Sequence, residues 1–379
     1  MKPGNEAELA ELVAGAAGPL RIMGGGTRDV GRPVDGTALS TAGLTGATLY
    51  EPGALTLVVR AGTPLAEVET VLAGEGQRLA FEPMDHRALL GTTGAPTIGG
   101  AVAANVSGPR RVQAGACRDF LLGVRFVDGQ GRVIKNGGRV MKNVTGYDVV
   151  KLMAGSWGTL GVLTELSFKV LAIPETEMTL VARGLSDADG VALLSTALGS
   201  PFDVTGAAHL GQGVVEGGAR TQVRIEGLAA SVAYRRDRLT ALLPGVEAVE
   251  GADSAALWRE VRDVDPFAGQ PGSVWKVSVR PSDGPVLCAR LGTLVTGAIY
   301  DWGGGLVWLR GPEAGDGGAS RIRAEVATLG GHATLVRGPE ALRRQVPVFP
   351  PETAGVATLT AGLQAKYDPR GVLNPGLMG

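Results

Sequence analysis

Three glycine-rich segments, each beside an apolar stretch, constrain this chain more than any other feature. They are Met23-Gly24-Gly25-Gly26-Thr27-Arg28, the run from Gly91 to Gly108, and Gly155-Ser156-Trp157-Gly158-Thr159-Leu160-Gly161. Consecutive glycines after a strand let the backbone turn with positive φ and gather successive N–H groups around one concavity, a nest suited to diphosphate. Thr27 adds a hydroxyl donor. Taken alone, a tight turn explains the first segment equally well. It does not match GxGxxG opening a helix, and no Lys-Ser/Thr follows to make a P-loop. In the second segment, Thr97-Ile98-Gly99-Gly100-Ala101-Val102-Ala103-Ala104-Asn105 offers small residues that let backbone approach a flat ligand. Ser107-Gly108-Pro109-Arg110-Arg111 supplies hydroxyl, backbone and cationic donors; the alternative is a packed small-residue helix with a solvated Arg pair. Three such segments on well-separated stretches favour an extended dinucleotide.

Composition narrows the field. With 36 basic against 37 acidic residues, the chain lacks the basic excess that phosphate tracking needs, so nucleic acid is not expected as a partner. Cys117 and Cys288 cannot make a disulfide framework or a thiolate metal site, and His86, His209 and His332 are far apart, so no metal is expected. Glu6, Glu8 and Glu11 stand where a signal peptide would be apolar, and no run of about 18 apolar residues occurs. The expectation is a soluble, cytoplasmic protein without a transmembrane segment. At 379 residues the chain has room for two domains.

Patterning predicts a short helix with Leu9, Leu12 and Val13 on one face, then a strand at Leu20–Met23. Leu55–Arg60 reads as a strand, followed by a helix with Thr63 as N-cap and Pro64 as its first residue. Residues 121–138 read as a hairpin turning at Asp128-Gly129, and 161–170 as a closing strand. A composition change after Pro174 suggests a boundary. Beyond it, VTGAAHL, TQVRIEG, SVWKVSVRPS, GAIYDWGGGLVWLR and HATLVRG read as strands, with helices at SVAYRRDRLTALL, SAALWREV, GPVLCARLGTLV and ASRIRAEVATLGG. The terminal LQAKYDPRGVLNPG reads as a short helix and a punctuated tail.

Residues 20–28, 79–110 and 136–170 resemble the FAD domain of the vanillyl-alcohol-oxidase-type (PCMH-type) flavoproteins. Within that superfamily, PTIGGAVAANVSGPRR, MKNVTGYDVVKLMAGSWGTLGVLTE and KYDPRGVLNPG are similar to the smaller, E-type FAD-binding subunit of bacterial glycolate oxidase. The resemblance implies an α+β fold: a two-subdomain FAD-binding domain over residues 1–173, an α+β cap over 174–345, and a terminal segment, 346–379, returning toward the FAD domain. It assigns the pyrophosphate to Gly24, Gly25, Gly26, Thr27 and Arg28. Pro83, Met84 and Asp85 line the cofactor, with Met84 where relatives often carry a second proline. Thr97, Gly99, Gly100, Asn105, Ser107 and Gly108 form the second FAD segment, and Gly158, Gly161 and Val162 lie beside the flavin and adenine portions. Because Thr27-Arg28 stands where some relatives attach flavin through a histidine, the implied FAD is non-covalent. The implied partners are a larger FAD-containing catalytic subunit and an iron–sulfur subunit, with peripheral attachment to the inner membrane through that complex.

Flavin-linked oxidation of a small 2-hydroxy acid needs a cation for the carboxylate and a base for the hydroxyl proton. Relatives supply paired histidines around a divalent metal from the cap, a set absent here. Arg224, Arg280 and Arg310, on strand-like segments, are the candidate anion anchors, with Arg280 preferred as the catalytic one. Trp302 and Trp308 are candidate pocket walls, though ordinary core packing is the alternative. Asp148 is expected to tie down a loop, and His209 and His332 to be structural or superficial. The readings are a complex subunit supporting glycolate oxidation to glyoxylate, a stand-alone dehydrogenase, or a scaffold with a vestigial flavin site.

Overall fold

The computed structural model describes residues 1–139 and 146–379. The first five residues of the MKNVTGYDVV motif, 141–145, lie outside the described residues.

The first helix, Glu6–Ala14, is capped by the Asn5 side chain accepting the Glu8 N–H, and it buries Leu9 and Val13 one turn apart. The strand Leu20–Met23 pairs in parallel with Thr37–Ser40. Behind it lies a five-stranded antiparallel sheet in the order Ala47–Glu51, Thr56–Arg60, Val162–Lys169, Leu121–Val127, Val133–Gly137. The expected hairpin forms its far edge: Asp128 Oδ1 accepts the N–H groups of Gln130 and Arg132, so an Asx turn closes the two strands. Leu57, Val59, Phe126, Leu166 and Phe168 project from this sheet into a core shared with Phe81, Ile98 and Val102.

The helix after Thr56–Arg60 begins one residue later than expected, at Leu65. Thr63 does not cap it: its hydroxyl accepts the Gly46 N–H and donates to Arg60 O, which locks the turn instead.

From Thr176 onward the chain builds a larger, wholly antiparallel sheet of eight strands. Their order is Glu247–Glu250, Thr176–Arg183, Arg220–Gly227, Val204–Leu210, Gly297–Asp301, Leu306–Arg310, Val274–Ser278, His332–Arg337. Thr176–Arg183, Glu247–Glu250 and the helix Asp187–Leu198 have no counterpart among the elements expected from patterning. The helices Ala229–Leu242, Gly251–Asp263, Asp283–Leu291 and Ala319–Thr328 lie close to their expected places. His209 is fully buried, its ring bonded to Thr221 Oγ1 at 2.8 Å and Asp187 Oδ1 at 3.1 Å, a structural role as expected.

Buried ion pairs join the two sheets. Glu82, in a left-handed turn (φ 44°), receives Arg224 from the large sheet. Glu226 accepts Arg110 Nη2 and Arg78 Nη1, each at 2.7 Å. Arg110 also pairs with Glu82. Burial acts to raise both carboxyls, but the surrounding guanidinium groups outweigh it, and Glu82 and Glu226 titrate below the ordinary carboxylate range.

Candidate functional site

The three glycine-rich segments converge. Gly24, Gly25, Gly26, Thr27, Arg28, Thr97, Gly99, Gly100, Trp157, Gly158, Gly161 and Val162 line one cleft beside the strand Leu20–Met23. Two different constraints produce its first loop. A Cβ added at Gly25 would stand 1.7 Å from Ala95 O, so glycine there is demanded by the backbone of the second segment packed against the first. Gly26 is demanded by conformation, since its φ is +74°. Among the described residues, no protein acceptor takes the N–H groups of Gly25, Gly26, Thr27 or Arg28. Four consecutive unpaired donors lining a cleft are the chemistry a diphosphate requires, and a close-packed turn does not account for them. The residues present therefore fit a dinucleotide.

The chain's last turn completes this cleft. Asn374, also left-handed (φ 44°), accepts the Ile22 N–H at 2.7 Å and donates to Trp157 O at 2.8 Å. It thereby fixes the strand before the first glycine segment to the middle of the third.

Beyond Trp157, which lines both spaces, a second chamber opens between the two sheets. Met84, Asn105, Ser107, Gly108 and Arg111 contribute from one side, and Lys276, Asp301, Trp308, His332 and Thr334 from the large sheet. Arg28 links the spaces: its Nε donates to His86 Nδ1 at 3.2 Å and its Nη2 to Met84 O at 3.3 Å. Burial takes the Arg28 guanidinium down to about 10, and burial with the Arg28 charge holds His86 neutral. The same His86 Nδ1 stands 3.3 Å from Met84 O, so Arg28 and the Met84 carbonyl meet at one ring nitrogen.

Several expected contacts fall elsewhere. Asn105 Oδ1 accepts the Arg118 N–H and Ser107 Oγ accepts the Cys117 N–H, so both side chains shape the segment rather than present these atoms to a ligand. Gly108 is a joint between the sheets, its carbonyl accepting Trp302 Nε1 at 3.1 Å. Pro83 and Asp85 border neither space; Asp85 forms a two-point pair with Arg87 at the surface. Asp148 caps the helix Val149–Met153.

The arginine candidates are all diverted. Arg280 follows the end of the strand Val274–Ser278, has a side chain 77% exposed, and pairs with Asp283. It was expected on a strand, but the chain leaves the sheet after Ser278, before reaching it. Arg224 is committed to Glu82 and Arg310 to Thr296. The cation that the large sheet does send into the chamber is Lys276, which sequence reasoning passed over. Its available signal was a lysine on a strand of otherwise buried residues, in a chain with only seven lysines. Asp301 and His86 were missed with it, whereas Arg111, singled out as a cationic donor, does line the chamber. Trp308 walls the chamber, whereas Trp302 lies beneath Arg111, 4.3 Å from its guanidinium carbon.

Residues 1–137 match the family described as FAD binding domain. The chain is 35% identical over 362 residues to "Glycolate oxidase subunit GlcE" of Escherichia coli, covering 95% of this chain and 92% of that protein. It is 43% identical over 86 residues to "Glycolate oxidase subunit GlcD" of Bacillus subtilis, covering 23% of this chain and 18% of that one. Among solved structures, alkyldihydroxyacetonephosphate synthase superposes with a TM-score of 0.72 at 16% identity, covering 99% of this chain and 76% of that one. That likeness gives the fold, the vanillyl-alcohol-oxidase type. Among the described residues no helix is long and apolar enough to cross a membrane. Taken with the nest of free N–H groups, the full-length similarity shows that the chain belongs to the family of the glycolate oxidase subunit GlcE, FAD-binding oxidoreductases of the vanillyl-alcohol-oxidase-type fold.

Proposed function

We propose that the chain is the FAD-carrying subunit of a glycolate dehydrogenase complex, supporting oxidation of glycolate to glyoxylate and passing electrons to an iron–sulfur subunit. The observation that carries this reading is the convergence of three glycine-rich segments on one cleft with unpaired N–H donors, in a chain similar along its length to a glycolate oxidase subunit. In the proposed arrangement, residues 1–173 hold FAD non-covalently, 174–345 form the cap, and 346–379 return to the cofactor. Gly24, Gly25, Gly26, Thr27 and Arg28 hold the pyrophosphate; Thr97, Gly99, Gly100, Gly158, Gly161 and Val162 flank the rest. When bound, FAD supplies a two-electron acceptor for a hydride. The chain's own part is to position the cofactor, to exclude water with Trp157 and Phe349, whose rings meet edge-on at 5.3 Å, and to hold His86 neutral beside the chamber. The partners in this reading are a larger flavoprotein and an iron–sulfur protein, with the complex on the cytoplasmic side of the inner membrane.

A second reading, a stand-alone dehydrogenase of a small 2-hydroxy acid, is favoured by the unpaired lysine in the second chamber. A visible spectrum of the purified chain under anaerobic glycolate separates the two. Flavin absorbance that persists until the larger subunit is added supports the complex, and bleaching of the chain alone supports the stand-alone enzyme. A colourless chain that takes up no FAD overturns both.

A further inference from the structure

The register of the large sheet gathers the chamber's polar groups on one face. Lys276 stands directly opposite Trp308 on one neighbouring strand and Thr334 on the other. Asp301 stands opposite Leu306, two residues before Trp308, and His332 lies two residues before Thr334. Side chains alternate along strands, so Lys276, Trp308, Thr334, Asp301 and His332 all face the chamber.

The charge on that face is unbalanced. Among the described residues Lys276 and Arg111 make no ion pair, while Arg262, the other cation lining the chamber, is spent on Asp263 at 2.6 Å. The two unpaired cations share one indole: the Trp302 ring centre is 4.3 Å from the Arg111 guanidinium carbon and 5.5 Å from Lys276 Nζ. The Trp308 ring is 5.8 Å from the same Nζ. Cation–π contacts steady a cation without neutralising it, so both charges stay available to an anion. Asp301, the carboxyl of this face, is buried and takes the Trp302 N–H at 2.7 Å; burial pushes it up to about 7, halving its counter-charge near neutrality.

We propose that this chamber binds a small 2-hydroxy or 2-oxo carboxylate, with Lys276 holding the carboxylate, Arg111 as the second cation, and Asp301 meeting the 2-oxygen. The proposal deepens the function proposed above and rests on it for the identity of the substrate class. Indole walls and two single cations suit one compact anion better than a phosphate ester, which calls for a denser donor set.

The probe is oxalate, a small carboxylate with no C–H bond to oxidise, titrated calorimetrically into the FAD-loaded chain. One-site saturable binding is expected. Lys276→Met should weaken it about thirtyfold, the loss of one charge-assisted hydrogen bond from a desolvated site, with FAD content unchanged, and Lys276→Arg should restore most of it. Arg111→Met, expected to weaken binding about fivefold, decides the matter if Lys276→Met fails to fold. Absence of saturable binding by the unaltered chain, or binding by either Met variant within twofold of it, overturns the assignment. If oxalate binds through Lys276 while glycolate never bleaches the flavin, with or without the larger subunit, the chamber stands and the glycolate reading falls. If glycolate bleaches Lys276→Met at the unaltered rate without the larger subunit, the chamber falls and the glycolate reading stands.

Discussion

Arg224 donates both terminal guanidinium nitrogens to Glu82, at 3.0 and 2.9 Å, tying the middle of the eight-stranded sheet to the turn that precedes the Asn105–Gly108 stretch. Arg224 is fully buried and the Glu82 side chain is only 10% exposed. Removing Arg224 would leave Glu82 with the Arg110 guanidinium but strip the charge-assisted hydrogen bonds between the sheet and the turn, which typically costs about 1.5–3 kcal/mol. Arg224→Met should therefore lower the urea midpoint markedly, and a midpoint unchanged within error would show that the pair is not holding the sheets together.

The same cluster sets the response to acid. Glu82 and Glu226 titrate in the folded chain below the ordinary glutamate value of 4.5, so the unfolded chain binds more protons as pH falls past that point. Their stabilisation is complete above pH 4.5 and is lost as pH drops through their folded values. Thermal midpoints of the unaltered chain should fall steeply below pH 4.5. Arg224→Met should start lower and flatten this slope; an identical slope in both proteins would count against the cluster as its source.

Gly25 is the most demanding position of the cofactor cleft, because any side chain there would collide with Ala95 O. Gly25→Asp adds a negative charge where a pyrophosphate is proposed to sit, and should abolish copurifying flavin absorbance near ~450 nm, the flavin's own band. Gly53→Ala, at a glycine with open space around it and no positive φ, is the control that should keep its full complement. Retention of FAD by the Asp variant would move the pyrophosphate elsewhere.

Asn374 offers a milder perturbation. Asn374→Ala removes the acceptor for Ile22 N–H and the donor to Trp157 O while leaving every lining glycine in place. FAD affinity should fall about tenfold, equivalent to about 1.4 kcal/mol, measured by fluorescence titration of the apoprotein. An unchanged dissociation constant would mean the cleft holds its shape without this tether.

Anion binding in the second chamber should weaken with rising pH. Burial, helped by the Arg111 charge, takes the Lys276 ammonium down to about 8, and Asp301 titrates near 7. His86 and His332, both held toward the neutral form, and the permanently charged Arg111 add no opposing step. Between pH 7 and 9 Asp301 gains charge while Lys276 loses it, so oxalate affinity should drop about tenfold or more. Asp301→Asn should leave only the later, lysine-dependent step. Affinity that is flat across this range would exclude Lys276 as the anchor.

The cofactor side of the molecule was legible because glycine announces itself. A residue without Cβ is tolerated only where backbone must turn oddly or pass close, and Gly25 and Gly26 each satisfy one of those conditions. The substrate side was not, because its chemistry depends on register. Lys276 and Arg280 share a strand-like stretch and a face in the sequence; only the end of the strand at Ser278 decides that one enters the chamber and the other meets Asp283. Likewise nothing in the Gln-Val-Arg-Ile-Glu stretch around Arg224 says that its counter-charge is Glu82, 142 residues away. The unexpected Thr176–Arg183 strand follows the composition change, where a boundary invites the reading of linker.

The Asn374 contacts also fix an order of events. The strand Leu20–Met23 can pair early with Thr37–Ser40, but Leu20 also bridges to Leu373 and the Ile22 N–H waits for Asn374, 352 residues on, so its last contacts form late. Until Asn374 is made, the nucleotide cleft lacks the tether between its first and third walls. A nascent chain broken off before Asn374 would carry every glycine that lines the cleft and still lack that join, so flavin capture through a fully tethered cleft follows the synthesis of Asn374.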